Sequence, residues 1–300
     1  HKRQNWNNIG NLPFLHVSAF KDFELKSIDS EKITSTYKSS GTTNTNKSKI
    51  FFDQKTSILQ THALKNIFSK ILKGKKKLLI VDSKKNVEIK NSFSAKSAAA
   101  NGFAINFHKK KYLFDSNNKI KFDEILKFSN NKNFVIFGFT SQIWFNLVQE
   151  LKKKKIKIKK NNGIVIHGGG WKKLHDQAIS NKSFKNELIK TLGVTNVYNY
   201  YGMIEQTGSV FLECENGFFH SSIFSDVIIR DKNLNVCSIK EKGLIQIMSL
   251  LPLSYPGHNI LSEDLGRLEG IDNCKCGRKG KYFTIFGRVP NSELRGCSDT

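Results

Sequence analysis

Through the first two hundred residues the chain alternates between two apolar patterns. Short continuous runs at Leu78 to Asp82, Phe134 to Phe139 and Gly163 to His167 read as strands, the second of them buried on both faces. A further strand is expected near 195–201. Between these runs, apolar residues recur three and four apart, the helical period. Ser57 and Gln60 are spaced to cap a helix that turns Ile58, Leu64, Ile67, Phe68, Ile71 and Leu72 to one side. Phe122 to Phe128 is helical in pattern. Thr140 opens a helix with Ile143, Trp144, Leu147, Val148 and Leu151 inward, and another helix is expected near 176–192. Strand and helix in this rhythm predict an α/β fold with mainly parallel sheets flanked by helices. Beyond about residue 209 the pattern changes to short β runs at 209–213, 226–230, 243–249 and 281–286, which predict a smaller β subdomain. Leu12 to Val17, followed by Phe20-Lys21, reads as an entry segment laid on the core, and no internal repeat is seen.

Three hundred residues, 38% hydrophobic and 11% aromatic, are enough to bury a sizeable core and argue against disorder. Forty-nine basic residues against 25 acidic ones give a net charge of +24. Such an excess invites a nucleic-acid reading. Here it is nearly all lysine, beside abundant asparagine and isoleucine, a bias that needs no anionic partner, and the runs 75–77, 109–111 and 152–155 fall at element ends or turns. No nucleic-acid partner is expected. No window approaches the roughly 20 apolar residues of a membrane span, and no basic-then-apolar leader is seen, so a cytoplasmic location is expected. The chain begins at His1 rather than Met, which suggests a clipped start. Five cysteines in a reducing compartment point to metal ligands, reactive thiols or buried side chains rather than a disulfide framework.

Two β-like runs, Ile33 to Tyr37 and Lys49 to Phe52, enclose Ser39-Ser40-Gly41-Thr42-Thr43-Asn44-Thr45-Asn46-Lys47. Backbone N–H groups and hydroxyls there can donate to phosphate oxygens, Gly41 permits close approach, and Lys47 supplies a mobile charge. A solvated Ser/Thr/Asn linker is the other reading. The order of residues resembles the phosphate loop of the adenylate-forming (AMP-forming) ligases, which usually reads T-S-G-T-T-G-x-P-K; Asn44 and Asn46 stand where that pattern has glycine and proline. Tyr200-Tyr201-Gly202-Met203-Ile204-Glu205 is similar to the same ligases' Y-G-x-T-E motif, with Ile204 in the threonine position. The resemblance implies that Tyr201 stacks on adenine, that Gly202 beside it belongs to the cofactor site, and that Glu205 holds Mg²⁺ on the ATP phosphates, an ion that suits oxygen ligands. It also implies that Gly168, Gly169 and Gly170 line the adenine, that Asp264 accepts from the ribose hydroxyls, and that Gly287-Arg288 begins a hinge. The four motifs lie in the family's order over 39–288.

Within that superfamily, His167-Gly168-Gly169-Gly170-Trp171-Lys172, the early Pro13-Phe14-Leu15 and Arg295-Gly296-Cys297 look like the LuxE-type acyl-protein synthetases. Those enzymes activate a fatty acid with ATP and load the acyl group on their own C-terminal cysteine. The resemblance implies a catalytic domain over 1–288 and a hinge and tail over 289–300 in which Cys297 accepts the acyl group for an acyl reductase or carrier partner. Arg295 beside the thiol favours its thiolate, and Gly296 gives the backbone freedom. The mobile C-terminal domain of the larger superfamily is not expected after this hinge. Another cation is then needed at the α-phosphate, and Lys47 and Lys172 are the candidates. The segment Cys274-Lys275-Cys276-Gly277-Arg278 is shared with phenylacetate-CoA-ligase-like proteins, which keeps a CoA ligase as the alternative.

Cys214 and His220 flank the turn-forming Glu215-Asn216-Gly217, and Cys274 and Cys276 form a C-x-C. Together they supply Cys₃His, a complete set for structural Zn²⁺; ordinary buried thiols are the other reading. Cys237 is expected in the core.

Overall fold

The computed structural model describes residues 9–39, 47–74, 77–88, 93–130, 133–171, 174 and 177–289. The described residues form two compact units, one from 9–38, 47–63 and 202–289, the other from 39 and 64–201.

The first unit opens with β1 (Leu15–His16), α1 (Ala19–Asp22) and the antiparallel pair β2 (Ser35–Lys38) and β3 (Lys49–Phe52). Helix α2 (Gln54–Leu72) follows, its residues from Leu64 onward counted in the second unit. It starts three residues before Ser57, because Asp53 and not Ser57 caps it: the Asp53 Oδ1 accepts from the Thr56 N–H at 2.8 Å. Ser57 Oγ instead donates to the Asp53 carbonyl at 2.9 Å. The expected apolar face holds for Leu64 and Phe68, which are buried, and fails for Ile58, which is 60% exposed.

The second unit contains β4 (Lys77–Ser83), α3 (Lys84–Val87), β5 (Phe93–Ser94), α4 (Ala95–Ala104), β6 (Lys109–Phe114), α5 (Phe122–Ser129) and β7 (Phe134–Phe139). After β7 come α6 (Thr140–Ile143), a π-helical turn (Trp144–Val148) and α7 (Gln149–Lys153), then β8 (Ile164–Gly168), α8 (Asn181–Leu192) and β9 (Asn196–Tyr201). Five strands make a parallel sheet in the order β6-β4-β7-β8-β9. As the unbroken apolar run of β7 predicts, all six of its residues are buried. On one face Leu79, Val81, Ile136 and Val165 meet Leu147, Val148, Leu151, Phe184 and Leu188. On the other, Phe137 stacks against Phe103 of α4 at 4.7 Å and Tyr200 of β9 at 5.9 Å. The lysine run 109–111 opens edge strand β6 and is exposed, where charge discourages pairing with another chain. Helix α8 is shorter than its pattern suggests because Ser180 caps it, its Oγ accepting from the Ser183 N–H at 3.1 Å.

The remaining strands belong to the first unit: β10 (Phe211–Glu213), β11 (Phe219–His220), β12 (Ser225–Arg230), β13 (Lys242–Ser249), β14 (Asn259–Ile271) and β15 (Lys281–Arg288). They lie in the order β12-β13-β14-β15-β11-β10, each neighbour antiparallel, and β1 pairs in parallel with β14. The β-rich character expected after 209 is present, with one large addition, the 13-residue β14. Cys237, expected in the core, is only half-buried. Among the described residues no helix is long and apolar enough to cross a membrane.

Candidate functional site

The feature most fully built from side chains lies where two turns of the β-rich unit meet. Cys214 follows β10 in a tight turn whose ends are tied by Cys214 N–H to Phe218 O at 2.8 Å and Gly217 N–H to Cys214 O at 2.9 Å. Gly217 sits at φ +82°, a backbone region that favours glycine. The turn returns the chain as β11, so that Leu212 pairs with His220. A second turn, 272–280, joins β14 to β15 and carries Cys274 and Cys276, with Gly277 at φ +79° donating to the Cys274 carbonyl at 3.0 Å. Pairing of β11 with β15, His220 opposite Tyr282, brings the turns together. One ligand atom from each of Cys214, His220, Cys274 and Cys276 then falls within 4.8 Å of the others.

The spacing fits zinc. Cys214 and Cys274 Sγ atoms are 4.0 Å apart, and Cys276 Sγ is 3.4 Å from His220 Nε2. Around a tetrahedral ion with Zn–S of about 2.3 Å and Zn–N of about 2.0–2.1 Å, those separations are about 3.8 and 3.6 Å. The protonation chemistry also suits a metal. Burial, and then the Arg278 charge, push the His220 pKa down to about 4, so the imidazole keeps a free lone pair. Burial pushes Cys276 up to about 11. Burial alone would also raise Cys274, but hydrogen bonds from the Cys276 N–H and the neighbouring groups hold it below its ordinary value. A bound cation favours the thiolates and displaces the thiol protons. Three of the four residues are buried, and the His220 ring stacks on Tyr282 at 5.5 Å.

The residues expected around a nucleotide are placed as follows. Strand β8 ends at Gly168, and Gly169 and Gly170 take φ values of +78° and +63°. A Cβ on Gly168 would lie 2.7 Å from ring atoms of Tyr200, so this glycine is required by close packing. The aromatic ring packed against Gly168 is that of Tyr200. His167, just before the turn, is 1% exposed. Thr140 has one hydroxyl hydrogen and donates it to the Gly168 carbonyl at 3.0 Å, so at 2.9 Å it accepts from His167 Nδ1–H. That leaves Nε2 as the buried lone-pair nitrogen, with no partner among the described residues. Burial, then Lys185, lower the His167 pKa to about 3 and keep it neutral.

In the β-rich unit, Gly202 is half-buried and Glu205 buried, the latter in a 3₁₀ turn over Ile204–Gln206. The turn is fixed by Gln206, whose amide donates to the carbonyls of Ile247 at 2.9 Å and Gly257 at 2.8 Å. Asp264 and Arg288 are register partners on β14 and β15, with Arg288 Nε 3.5 Å from Asp264 Oδ1. Glu263 Oε2 lies 4.0 Å from the same guanidinium. Of the phosphate-loop residues, Ser39 is buried and Lys47 exposed, while Ser40, Gly41, Thr42 and Thr43 lie outside the described residues, as do Lys172 and Cys297.

Comparison with known proteins gives this architecture its class. A 2-hydroxyisobutyryl-CoA ligase in the post-adenylation state with its acyl-AMP superposes with a TM-score of 0.67 at 16% identity, over 93% of this chain and 58% of that one. ATP-bound MatB from Rhodopseudomonas palustris gives 0.56 at 14% identity, over 87% of this chain and 49% of that one. The fold is therefore that of the adenylate-forming ligases, and the chain spans about half to three-fifths of the length of these enzymes. The family model for acyl-protein synthetase, LuxE, matches residues 4–300, and the chain belongs to that family. No curated protein sequence matched it.

Proposed function

We propose that this protein joins a carboxylic acid, a fatty acid in the reading favoured here, to a thiol in two ATP-dependent half-reactions. The observation that carries the proposal is the family match across 4–300 on an adenylate-forming fold. In the first half-reaction a carboxylate oxygen attacks the α-phosphorus of ATP, pyrophosphate leaves, and an acyl-adenylate forms. The Gly168–Gly170 turn and Tyr201 with Gly202 are assigned to the base, Asp264 to the ribose hydroxyls with Arg288 holding its carboxylate, and Ser39 to Thr43 to the phosphates. Lys47 and Lys172 are assigned to charge developing on the α-phosphate. Glu205 is the oxygen ligand for Mg²⁺, which when bound neutralises the phosphate charge. In the second half-reaction the Cys297 thiolate attacks the acyl carbonyl, AMP leaves, and a thioester remains on the protein for an acyl reductase or carrier. Zn²⁺ on Cys214, His220, Cys274 and Cys276 is assigned a structural role, pinning the 214–220 hairpin to the 272–280 turn.

The C-x-C segment and the CoA ligases among the structural neighbours favour a second reading, transfer to CoA rather than to Cys297. Carboxylate-dependent ATP–pyrophosphate exchange over a panel of acids tests the shared first half-reaction. Absence of exchange with every acid would remove both readings.

A further inference from the structure

The parallel unit has a second feature that the proposed nucleotide residues do not use. Its strand order places the first strand, β4, between the second and third, β6 and β7, with β8 and β9 continuing outward. From β4 the chain passes to one side, and from β7 it passes to the other. Where two adjacent parallel strands send their connections in opposite directions, a crevice opens outside their carboxyl ends, the usual ligand position in such sheets. A recess of about 670 Å³ lies there. Asp82 at the end of β4, Phe114 at the end of β6 and Gln142 just after β7 line it, together with Phe122 of α5. None of Gly168, Gly169, Gly170, Tyr200 and Tyr201 is among its lining residues.

The polar groups of the recess are paired incompletely. Asp82 and Lys96 form an ion pair at 2.6 Å with side chains 4% and 3% exposed. Asp82 is well supplied with donors, since its Oδ1 also accepts from the Ser83 N–H at 2.7 Å and the Asn86 amide at 2.9 Å. Lys96 is not: an ammonium carries three N–H donors, and Asp82 is its one partner among the described residues. The buried Gln142 Oε1, from another side chain of the lining, has no hydrogen-bond donor among the described residues. One turn beyond Gln142, Asn146 of the π-helical turn also lines the recess; such turns concentrate at functional sites. The charges cancel, with Asp82 and Glu150 against Lys96 and Lys119, so an anion gains no net attraction. Two phenylalanines supply flat apolar surface. The complement of this lining is a neutral, planar molecule whose edge presents an acceptor to Lys96 and a donor to Gln142 Oε1.

We infer that the recess at the carboxyl ends of β4 and β7 is a second small-molecule site, for a neutral heterocycle with a lactam or carboxamide edge. Nucleobases and nicotinamide share that edge. The inference stands independently of the acid-activating reading.

Calorimetric titration of the full chain with uridine, inosine and nicotinamide, each with and without saturating ATP, tests it, with glucose and benzoate as probes lacking the edge. At least one of the three heterocyclic probes is expected to bind with ATP present. Gln142→Leu is expected to weaken that binding at least tenfold and exposed Asn146→Ala several-fold, while Asp264→Asn leaves it unchanged. Circular dichroism establishes which variants are folded, and Asn146→Ala carries the test if Gln142→Leu is not. Failure of all three probes at millimolar concentration, displacement by ATP, tighter binding of glucose or benzoate, or indifference of the folded variants would each overturn the assignment.

Discussion

The Sγ atoms of Cys214 and Cys274, 60 residues apart in sequence, lie 4.0 Å apart in the fold. That proximity is produced by β11 pairing with β15, and Cys276 and His220 complete the same cluster. Protein purified without chelator is therefore expected to carry one zinc per chain by elemental analysis. Cys274→Ser should lose the metal and melt several degrees lower, because ligand loss removes folding free energy contributed by the ion. Metal-free wild type with unchanged stability would rule the centre out.

Asp264 and Arg288 face each other across β14 and β15, and both are partly exposed. A pair this accessible contributes at most about 1 kcal/mol to stability. Asp264→Ala should consequently leave the melting temperature nearly unchanged while raising the KM for ATP about tenfold or more, through lost ribose hydrogen bonds. Equal KM values in steady-state exchange assays would remove Asp264 from the nucleotide site.

How far these features could be read from sequence depended on the range of the interactions that define them. Cys214 to His220 and Cys274 to Cys276 are local spacings across turns, and their chemistry suggested one tetrad before any register was known. The continuous run of β7 was equally plain, since burial on both faces leaves no polar position. Strand β14 was not, because its centre reads Ser262-Glu263-Asp264-Leu265-Gly266, a composition of turns. It is extended because β13 and β15 supply backbone partners on both sides, with register shifts beside Leu265 and Leu268, and pairing over such distances leaves no periodic trace. Ile58 sits at an apolar helical position yet remains 60% exposed, so period alone did not define the buried face of α2. The place of Tyr200 against Gly168 is likewise a contact between separate strands.

His167 makes stability depend on pH. Its pKa is lowered to about 3 in the folded protein, against about 6.5 in an unfolded chain. Below 6.5 the unfolded state therefore takes up a proton that the native state refuses. The stabilisation is complete above that value and declines as pH falls toward 3, by about 2 kcal/mol between pH 7.5 and 5. Denaturant titrations of wild type and His167→Gln at those two pH values should show the wild type losing about that much more. Parallel losses would contradict the assignment.

Glu205 is held in its 3₁₀ turn by the Gln206 amide, so changing its carboxylate alone should spare the fold. Glu205→Gln is expected to lower acid-dependent ATP–pyrophosphate exchange at least a hundredfold, with an unchanged circular dichroism spectrum. Full exchange in the folded variant would remove Glu205 from the mechanism.

In the proposed reaction the activated acyl group ends on the chain's own thiol. Cys297 is assigned to the second half-reaction alone, so adenylation and capture are expected to be separable. Intact-protein mass spectrometry after incubation with ATP, Mg²⁺ and a panel of carboxylic acids, without CoA, reads this directly. One hydroxylamine-sensitive acyl adduct is expected on wild type and none on Cys297→Ser, which retains pyrophosphate exchange. An unmodified wild type that forms acyl-CoA when CoA is added, at a rate Cys297→Ser matches, would contradict it.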